Sequence, residues 1–377
     1  MKFLKLLFIA IFLSTALPLF ALSADENYIN VLCYHRFKER KLSEVKNKQL
    51  GDIYSITPRL FEAHMQFLKD NGYKVISMTQ YLRIVEAKEE IPVKTVVISI
   101  DDGYKSVKEQ AYPILKKFNY PSIAFLYSNF LPGGRNALTT EDVKELLSEG
   151  LMEFGSHSQT HPILTKRGKM TDEQYCDFLI NEIINSKKYL EKKLGVTIDT
   201  IGYPYGAYSK EIEKVLAYAG YKAGFSVVPS YNTKETDRYA LKRTMIYNST
   251  TVEKLKAILE IKPIKIKAIY PQDGDIITDA MPVLKAIIQE DAEINTATIK
   301  FTMGRVVLKD SVYDSKTKTL SYEYNKPLSK GVHIAGIKAI DMSGFDHEYE
   351  WLIIVGKPIA KGVLEKALLN SMVVKEK

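Results

Sequence analysis

The sequence predicts a parallel (β/α) barrel, closed or incomplete, followed by an all-β sandwich. Two patterns carry that expectation. Up to about residue 260, short apolar β-branched runs alternate with stretches of helical period, the signature of a parallel α/β architecture. Beyond Ile261-Lys262-Pro263 the helical period stops. From Lys265 to Val355 only strand-like runs and turn signals remain, about ninety residues with one tryptophan, Trp351, a pattern that reads as an immunoglobulin-like sandwich.

Taken in order, Tyr28–His35 reads as a first strand ending in a polar residue, and the charged, aperiodic stretch Lys38–Gly51 as a loop. Thr57-Pro58 opens a helix, with Thr57 as N-cap and Pro58 in the first turn. Leu60, Phe61, His64, Phe67 and Leu68 follow at helical spacing, and Asn71-Gly72 ends it. His64 sits among apolar positions and reads as structural. A strand at Lys74–Ser77, a helix at Thr79–Ala87 and the core strand Thr95–Ile100 come next. Helices are expected over 106–118, Thr140–Glu149, Thr171–Leu194 and Lys210–Ala219. Strands are expected at Ser122–Tyr127, Met152–Phe154 and Asp199–Gly202. In the second region Thr298–Met303 and Leu320–Tyr324 alternate apolar and polar residues, and Val332–Ile340 and Glu348–Val355 complete the set. After Gly356 the tail is lysine-rich, with a short amphipathic helix around Val363, Leu364, Ala367 and Leu368.

The N-terminus has its own character. Lys2 and Lys5 precede an apolar stretch from Leu6 to Leu22, and Ser23-Ala24 offer small residues before polar Asp25-Glu26-Asn27, as in a secretory signal. Ser14, Thr15 and Pro18 interrupt the run, which favours a cleaved signal over a retained anchor. The expected divisions are a signal at 1–24, an α/β domain at 25–262, a sandwich at 263–356 and a tail at 357–377. The formal net charge is +8, and it remains basic without the signal. That suits an exported protein drawn to anionic envelope polymer. No interleaving of basic and aromatic residues points to nucleic acid. Cys33 and Cys176 exclude a disulfide framework; one bridge or two buried thiols stay open.

The chemistry gathers at predicted strand exits, the face on which barrels carry active sites. Asp101 and Asp102 end the strand Thr95–Ile100, and Gly103 permits a sharp turn there. His157 and His161 follow another strand, and Pro162 biases His161 away from helical geometry. A carboxylate with two imidazoles, leaving positions open to water, is a catalytic rather than a structural ligand set.

These segments resemble the NodB-type polysaccharide deacetylases, carbohydrate esterase family 4. Ile100-Asp101-Asp102-Gly103 is similar to the family's first motif, Ser156-His157-Ser158-Gln159-Thr160-His161 to its second and Tyr203-Pro204-Tyr205-Gly206 to its third. The resemblance, over roughly residues 28–250, implies a distorted (β/α) barrel of the NodB type. It implies that Asp102, His157 and His161 hold a divalent metal, zinc foremost, with nickel, cobalt or iron also suited to the set. It makes Asp101 the general base and places an oxyanion donor at the Tyr205 backbone N–H. The implied reaction is removal of N-acetyl groups from N-acetylglucosamine units of a cell-envelope or extracellular polysaccharide through a metal-activated water.

Two departures from the family pattern direct further assignments. No histidine follows His161 until His333, so the acid that protonates the leaving amine is assigned to His35, in Tyr34-His35-Arg36, as in the permuted poly-β-1,6-N-acetylglucosamine deacetylases. Gly202 stands where the common pattern has an arginine orienting the base, and Arg243, in Leu241-Lys242-Arg243, is the candidate to replace it, against an ordinary surface or strand-end arginine. Asp237 is a weaker candidate for orienting a histidine. Tyr104, Tyr127, Phe130, Tyr203, Tyr205 and Tyr208 lie near strand exits as candidates for stacking on sugar rings. A carbohydrate-binding pseudoenzyme and an O-acetyl esterase on the same fold remain open readings. A glycosidase would need two carboxylates and no metal.

Overall fold

A computed structural model describes residues 27–39, 52–87, 89–131, 133–289 and 293–373. The expected signal segment and most of the Lys38–Gly51 loop lie outside them. The first region is built on a parallel sheet: β1 (Ile29–Tyr34), β2 (Lys74–Val75), β3 (Thr95–Asp101), β4 (Ser122–Leu126), β5 (Met152–Ser156), β6 (Thr200–Gly202), β7 (Ala223–Phe225) and β8 (Thr244–Met245). Their order is β8-β1-β3-β4-β5-β6-β7, with β2 beside the start of β3. The edges converge on one segment. Leu241 bridges Phe225 of β7, whereas Thr244 and Met245 pair with Leu32 and Cys33 of β1. Residues 241–245 thus join the two ends of the sheet.

Side chains alternate across a strand, and the two faces do different work. On β3, Val96, Ile98 and Ile100 pack outward against helices, while Val97, Ser99 and Asp101 point inward. Phe125 of β4 crosses the interior over two glycines. A Cβ on Gly155 would lie 2.6 Å from the Phe125 ring, and one on Gly202 about as tight as packing tolerates, at 3.1 Å.

The outer layer includes α1 (Pro58–Asp70), α2 (Met78–Ala87), α3 (Tyr112–Phe118), α4 (Thr140–Glu149), α5 (Asp172–Leu179), α6 (Ser186–Leu194), α7 (Lys210–Ala219) and α8 (Val252–Glu260). Thr57 caps α1 by accepting from the Leu60 N–H, and Thr139 and Thr171 form capping boxes with Asp142 and Gln174. Two helices differ from expectation. The 106–118 segment begins as a π-helical turn, Val107–Ala111, and the 171–194 segment is split by another, Ile180–Asn185. Such turns often mark functional positions. His64 is buried, with Nδ1 3.2 Å from the Tyr34 hydroxyl and Nε2 2.9 Å from the Thr250 carbonyl. Both cysteines are buried and free.

Two further sheets follow. One has the order β9 (Lys262–Pro263), β18 (Asp346–Val355), β17 (Gly331–Ile340), β13 (Lys300–Met303) and β14 (Val306–Val307), with β11 (Asp275–Ile277) also on β18. The other is β10 (Ile266–Tyr270), β12 (Val283–Ile288), β16 (Thr319–Glu323) and β15 (Val312–Asp314). Both contribute to one core around Trp351, Phe301, Leu284 and Leu320. β18 serves two cores at once: Trp351 and Ile353 face this one, while Leu352 and Ile354 join the barrel's. The buried Lys242 ammonium pairs with Asp273 across the same junction. The tail forms α9 (Val363–Val373), whose Leu364 and Leu368 are buried in the barrel core.

Candidate active site

The C-terminal rim of the parallel sheet gathers residues separated by more than 200 positions. β3 delivers Asp101 to the interior, and the chain then turns through Asp102 at φ 77° and Gly103 at φ 77°. That turn lets adjacent carboxylates serve different places. The Asp102 carboxylate faces two imidazoles: Oδ1 is 3.3 Å from His161 Nε2 and 3.6 Å from His157 Nε2. Ligand atoms of all three residues lie within 4.8 Å of one another.

The donor set fits a divalent cation on three counts. Asp102 Oδ1 is buried and has no hydrogen-bond partner, the orphaned state that an absent cation leaves. His157 Nδ1 lies 2.6 Å from the Gly202 carbonyl and donates to it, directing the Nε2 lone pair at the shared centre. Burial lowers His157 to about 3 and lowers His161, which keeps both rings neutral, as ligands must be.

The loop carrying the histidines is strained and braced. Ser158 and His161 both have positive φ, 69° and 61°, uncommon for residues with a Cβ. Glu182, buried in the π-helical turn Ile180–Asn185, holds this loop: its carboxylate accepts from the Gln159 N–H (3.0 Å), the Thr160 N–H (2.9 Å) and the Thr160 hydroxyl (2.6 Å). Four residues on, the Ser186 hydroxyl donates to the Ser158 carbonyl at 2.7 Å.

Asp101 sits behind the triad and is almost wholly buried. Arg243 grips it with both arms, Nη1 to Oδ1 at 2.6 Å and Nη2 to Oδ2 at 2.9 Å. The guanidinium is itself fixed by the Ser226 carbonyl (3.0 Å) and lies over the Phe125 ring. A Cβ on Gly202 would come within 3.1 Å of Arg243 Nη2, so the glycine leaves the space that Arg243 fills. Burial alone would raise the Asp101 carboxyl; Arg243, His157 and His35 more than offset it and leave it well below the usual carboxylate range. The Cys33 thiol also donates to Asp101 Oδ2, at 3.4 Å. Burial, first, and Asp101 hold that thiol protonated.

His35, directly after β1, completes the cluster. Cys33, His35 and Asp101 offer ligand atoms within 4.8 Å of one another, and His35 Nδ1 is buried without a partner. Its ring lies against Tyr54, with centroids 5.2 Å apart. Tyr205 adopts φ 56° in its turn, is largely exposed, and packs beside His161 at 4.8 Å.

The structure thus brings together Asp101, Asp102, His157, His161, His35, Arg243 and Tyr205. It does not bring Asp237 to a histidine; that carboxylate pairs with Lys210. Among the aromatics, Tyr203 and Tyr208 are fully buried and stack on each other, so they are unavailable to a sugar. Tyr104, Tyr127, Phe130 and Tyr205 remain at the rim. Sequence reasoning missed Glu182. The signal was present: Glu182 and Ser186 fall on the stripe made by Tyr175, Cys176, Leu179, Ile183 and Leu190, where a charged residue needs a reason.

Residues 88–224 match the sequence profile of the polysaccharide deacetylases. A poly-β-1,6-N-acetyl-D-glucosamine N-deacetylase of Staphylococcus aureus is 28% identical over 242 residues, 60% of this chain and 81% of that protein. The deacetylase PplD of Streptococcus pyogenes, solved in complex with acetate, superposes with a TM-score of 0.55 at 27% identity, over 62% of this chain and 99% of its own. IcaB from Ammonifex degensii shares the fold, with a TM-score of 0.54 at 20% identity over 62% of this chain and 97% of its own.

Proposed function

The chain carries a polysaccharide deacetylase domain, and from that premise we propose that it hydrolyses the N-acetyl groups of N-acetylglucosamine units in an extracellular or cell-envelope polysaccharide. One observation carries the reading: Asp102, His157 and His161 converge beside a carboxylate, Asp101, that Arg243 keeps ionised.

In this reading Asp102, His157 and His161 hold a divalent cation, and the mixed carboxylate–imidazole set suits zinc. Bound there, the cation supplies Lewis acidity, making water easier to deprotonate and an amide carbonyl more electrophilic. Asp101 accepts the proton of the attacking water. So weak a base is effective only against acidified water, which ties its role to the triad. Arg243 fixes both Asp101 oxygens, so the carboxylate cannot rotate between turnovers. The Tyr205 N–H, in its exposed turn, donates to the developing oxyanion. His35 delivers the proton that the departing amine needs.

The proposal extends to organisation. Residues 1–24 serve as an export signal, 25–262 as the catalytic domain, 263–356 as an immunoglobulin-like sandwich and 357–377 as a tail. Among the described residues no helix is long and apolar enough to cross a membrane.

The test is acetate release from β-1,4- and β-1,6-linked N-acetylglucosamine oligomers, with chelator and metal add-back. Asp101→Asn is expected to retain metal and lose turnover, and His157→Ala to lose metal. Full activity in Asp101→Asn would remove it as the base. Acetate released from acetylated xylan but from neither oligomer would move the assignment to an O-acetyl esterase.

A further inference from the structure

A groove of about 680 Å³ opens directly from the triad, lined by His161, Tyr205, Lys166, Arg167, Lys169 and Phe178 among others, with no carboxylate in its lining. It is walled by residues 162–170, which are firmly anchored. The Lys166 N–H bonds to the Ile163 carbonyl and the Met170 N–H to the Arg167 carbonyl, so the wall is two tight turns. Leu164 is buried, and its carbonyl accepts from the Tyr175 hydroxyl at 2.8 Å. Arg167 pairs with Asp172 and donates to the Lys357 carbonyl, and Asp172 accepts from the Ala360 N–H. The C-terminal strap therefore holds the groove in shape before any ligand arrives.

Arg167 is neutralised by Asp172. Lys166 and Lys169 are exposed and, among the described residues, have no carboxylate partner. The groove begins at His161 and Tyr205, so a sugar lying in it is the chain neighbour of the unit whose amide is at the triad. Resting on the deacetylase reading, we propose that this groove is a neighbour subsite selecting an uncharged, still N-acetylated sugar, and that Lys166 and Lys169 reject a neighbour already converted to a protonated amine. Each product unit carries such an amine. Its pKa, by analogy with an α-amino group, is about 8, so it is cationic at neutral pH, as are the lysines. Selection at this subsite spaces the deacetylated units along the polymer.

Two unit charges about 5 Å apart in water repel enough to change binding about fourfold, and two lysines at that distance together up to about sixteenfold before screening. The experiment compares kcat/KM for acetate release from a fully acetylated N-acetylglucosamine tetramer and from tetramers with one glucosamine on either side of the reacting unit. The expected preference for the fully acetylated tetramer is about five- to tenfold at pH 6.5 and low salt. It should fade above about pH 9, where the amine is neutral and the lysines are still charged, and near 1 M salt, where screening acts within about 3 Å. Lys166→Glu/Lys169→Glu should abolish or invert it. A preference absent in the native enzyme, or unchanged in the double variant, overturns the proposal. No acetate from any tetramer would instead refute the deacetylase reading on which it stands.

Discussion

Replacing Glu182 separates a brace of the histidine loop from an ordinary buried residue. Its carboxylate accepts three hydrogen bonds from Gln159 and Thr160, between the two proposed histidine ligands. Bonds to a charged acceptor contribute about 1.5–3 kcal/mol each, against about 0.5–1.5 for neutral pairs. Glu182→Gln can still meet all three groups, because the amide accepts from the two N–H groups while its NH2 faces the Thr160 hydroxyl. The loss is then about 1–2 kcal/mol. Glu182→Ala leaves two loop N–H groups without a protein acceptor and should cost about 3 kcal/mol or more. Part of that cost falls on the metal-free loop, which relaxes from the positive φ of Ser158 and His161, and metal must recover it on binding. At about 1.4 kcal/mol per decade, zinc affinity should weaken a few-fold in Glu182→Gln and about 10- to 100-fold in Glu182→Ala, the range seen for outer-sphere partners of metal ligands. A competition titration against a chromophoric chelator reads this directly, and the thermal shift between metal-free and zinc-loaded protein should shrink accordingly. If Glu182→Ala folds with reduced metal-free stability but binds zinc as tightly as the native protein, Glu182 stabilises the helix and does not brace the loop.

Three further perturbations have defined outcomes. Arg243→Ala strands the buried Asp101 carboxylate and should cost about 3–5 kcal/mol in thermal or denaturant unfolding; Arg243→Lys cannot reproduce the two-armed contact and should restore little. The Asp101 carboxyl is depressed in the folded protein, so its stabilisation is present above the unfolded value near 3.9 and lost as pH falls below it; in Arg243→Ala burial raises the carboxyl instead, so the stability gap between variant and native protein should narrow as pH falls, and the acid limb of kcat/KM should move to higher pH. Gly202→Ala pushes a methyl against Arg243 and Phe125; overpacking should cost about 1–3 kcal/mol and reduce kcat more than it raises KM. Lys242→Ala strands Asp273 at the junction with the β-sheets and should lower the melting temperature and expose residues 263–356 to proteolysis, with little change in zinc affinity.

Most of the barrel was legible because each element declared itself locally. The Thr57 cap, the Asn71-Gly72 stop of α1 and the apolar run of β3 all read correctly from neighbouring residues. The π-helical turns were not legible, since the 171–194 segment has an unbroken helical pattern, yet the chain forms a π-helical turn at Ile180–Asn185 that holds the buried Glu182. The burial of Tyr203 and Tyr208 was hidden for the same kind of reason. A tyrosine beside a strand exit looks available, and only packing against α7 and the Asp273 turn removes it. The stripe position of Glu182 marks it as a charge that needs a reason, but its partners, Gln159 and Thr160, lie 23 and 22 residues upstream, and no local pattern encodes that pairing.

Arg243 and His35 show why motif order is a weaker guide than position on the rim. They lie 208 residues apart, yet both reach Asp101 because residues 241–245 join the two ends of the sheet, pairing with β7 at Leu241 and with β1 at Thr244. Any strand bordering that seam can present a side chain to the same carboxylate. An arginine at position 202 would approach from β6; with glycine there, the space passes to an arginine from the closing segment. The demand is set by the buried charge, which must have a two-armed partner to stay ionised. Fold closure, rather than sequence neighbourhood, decides which residues can supply one. The same logic places the candidate acid on the first strand: β1 and β3 are adjacent in parallel register, so the residue after β1 emerges beside the end of β3 wherever else in the chain a histidine is missing.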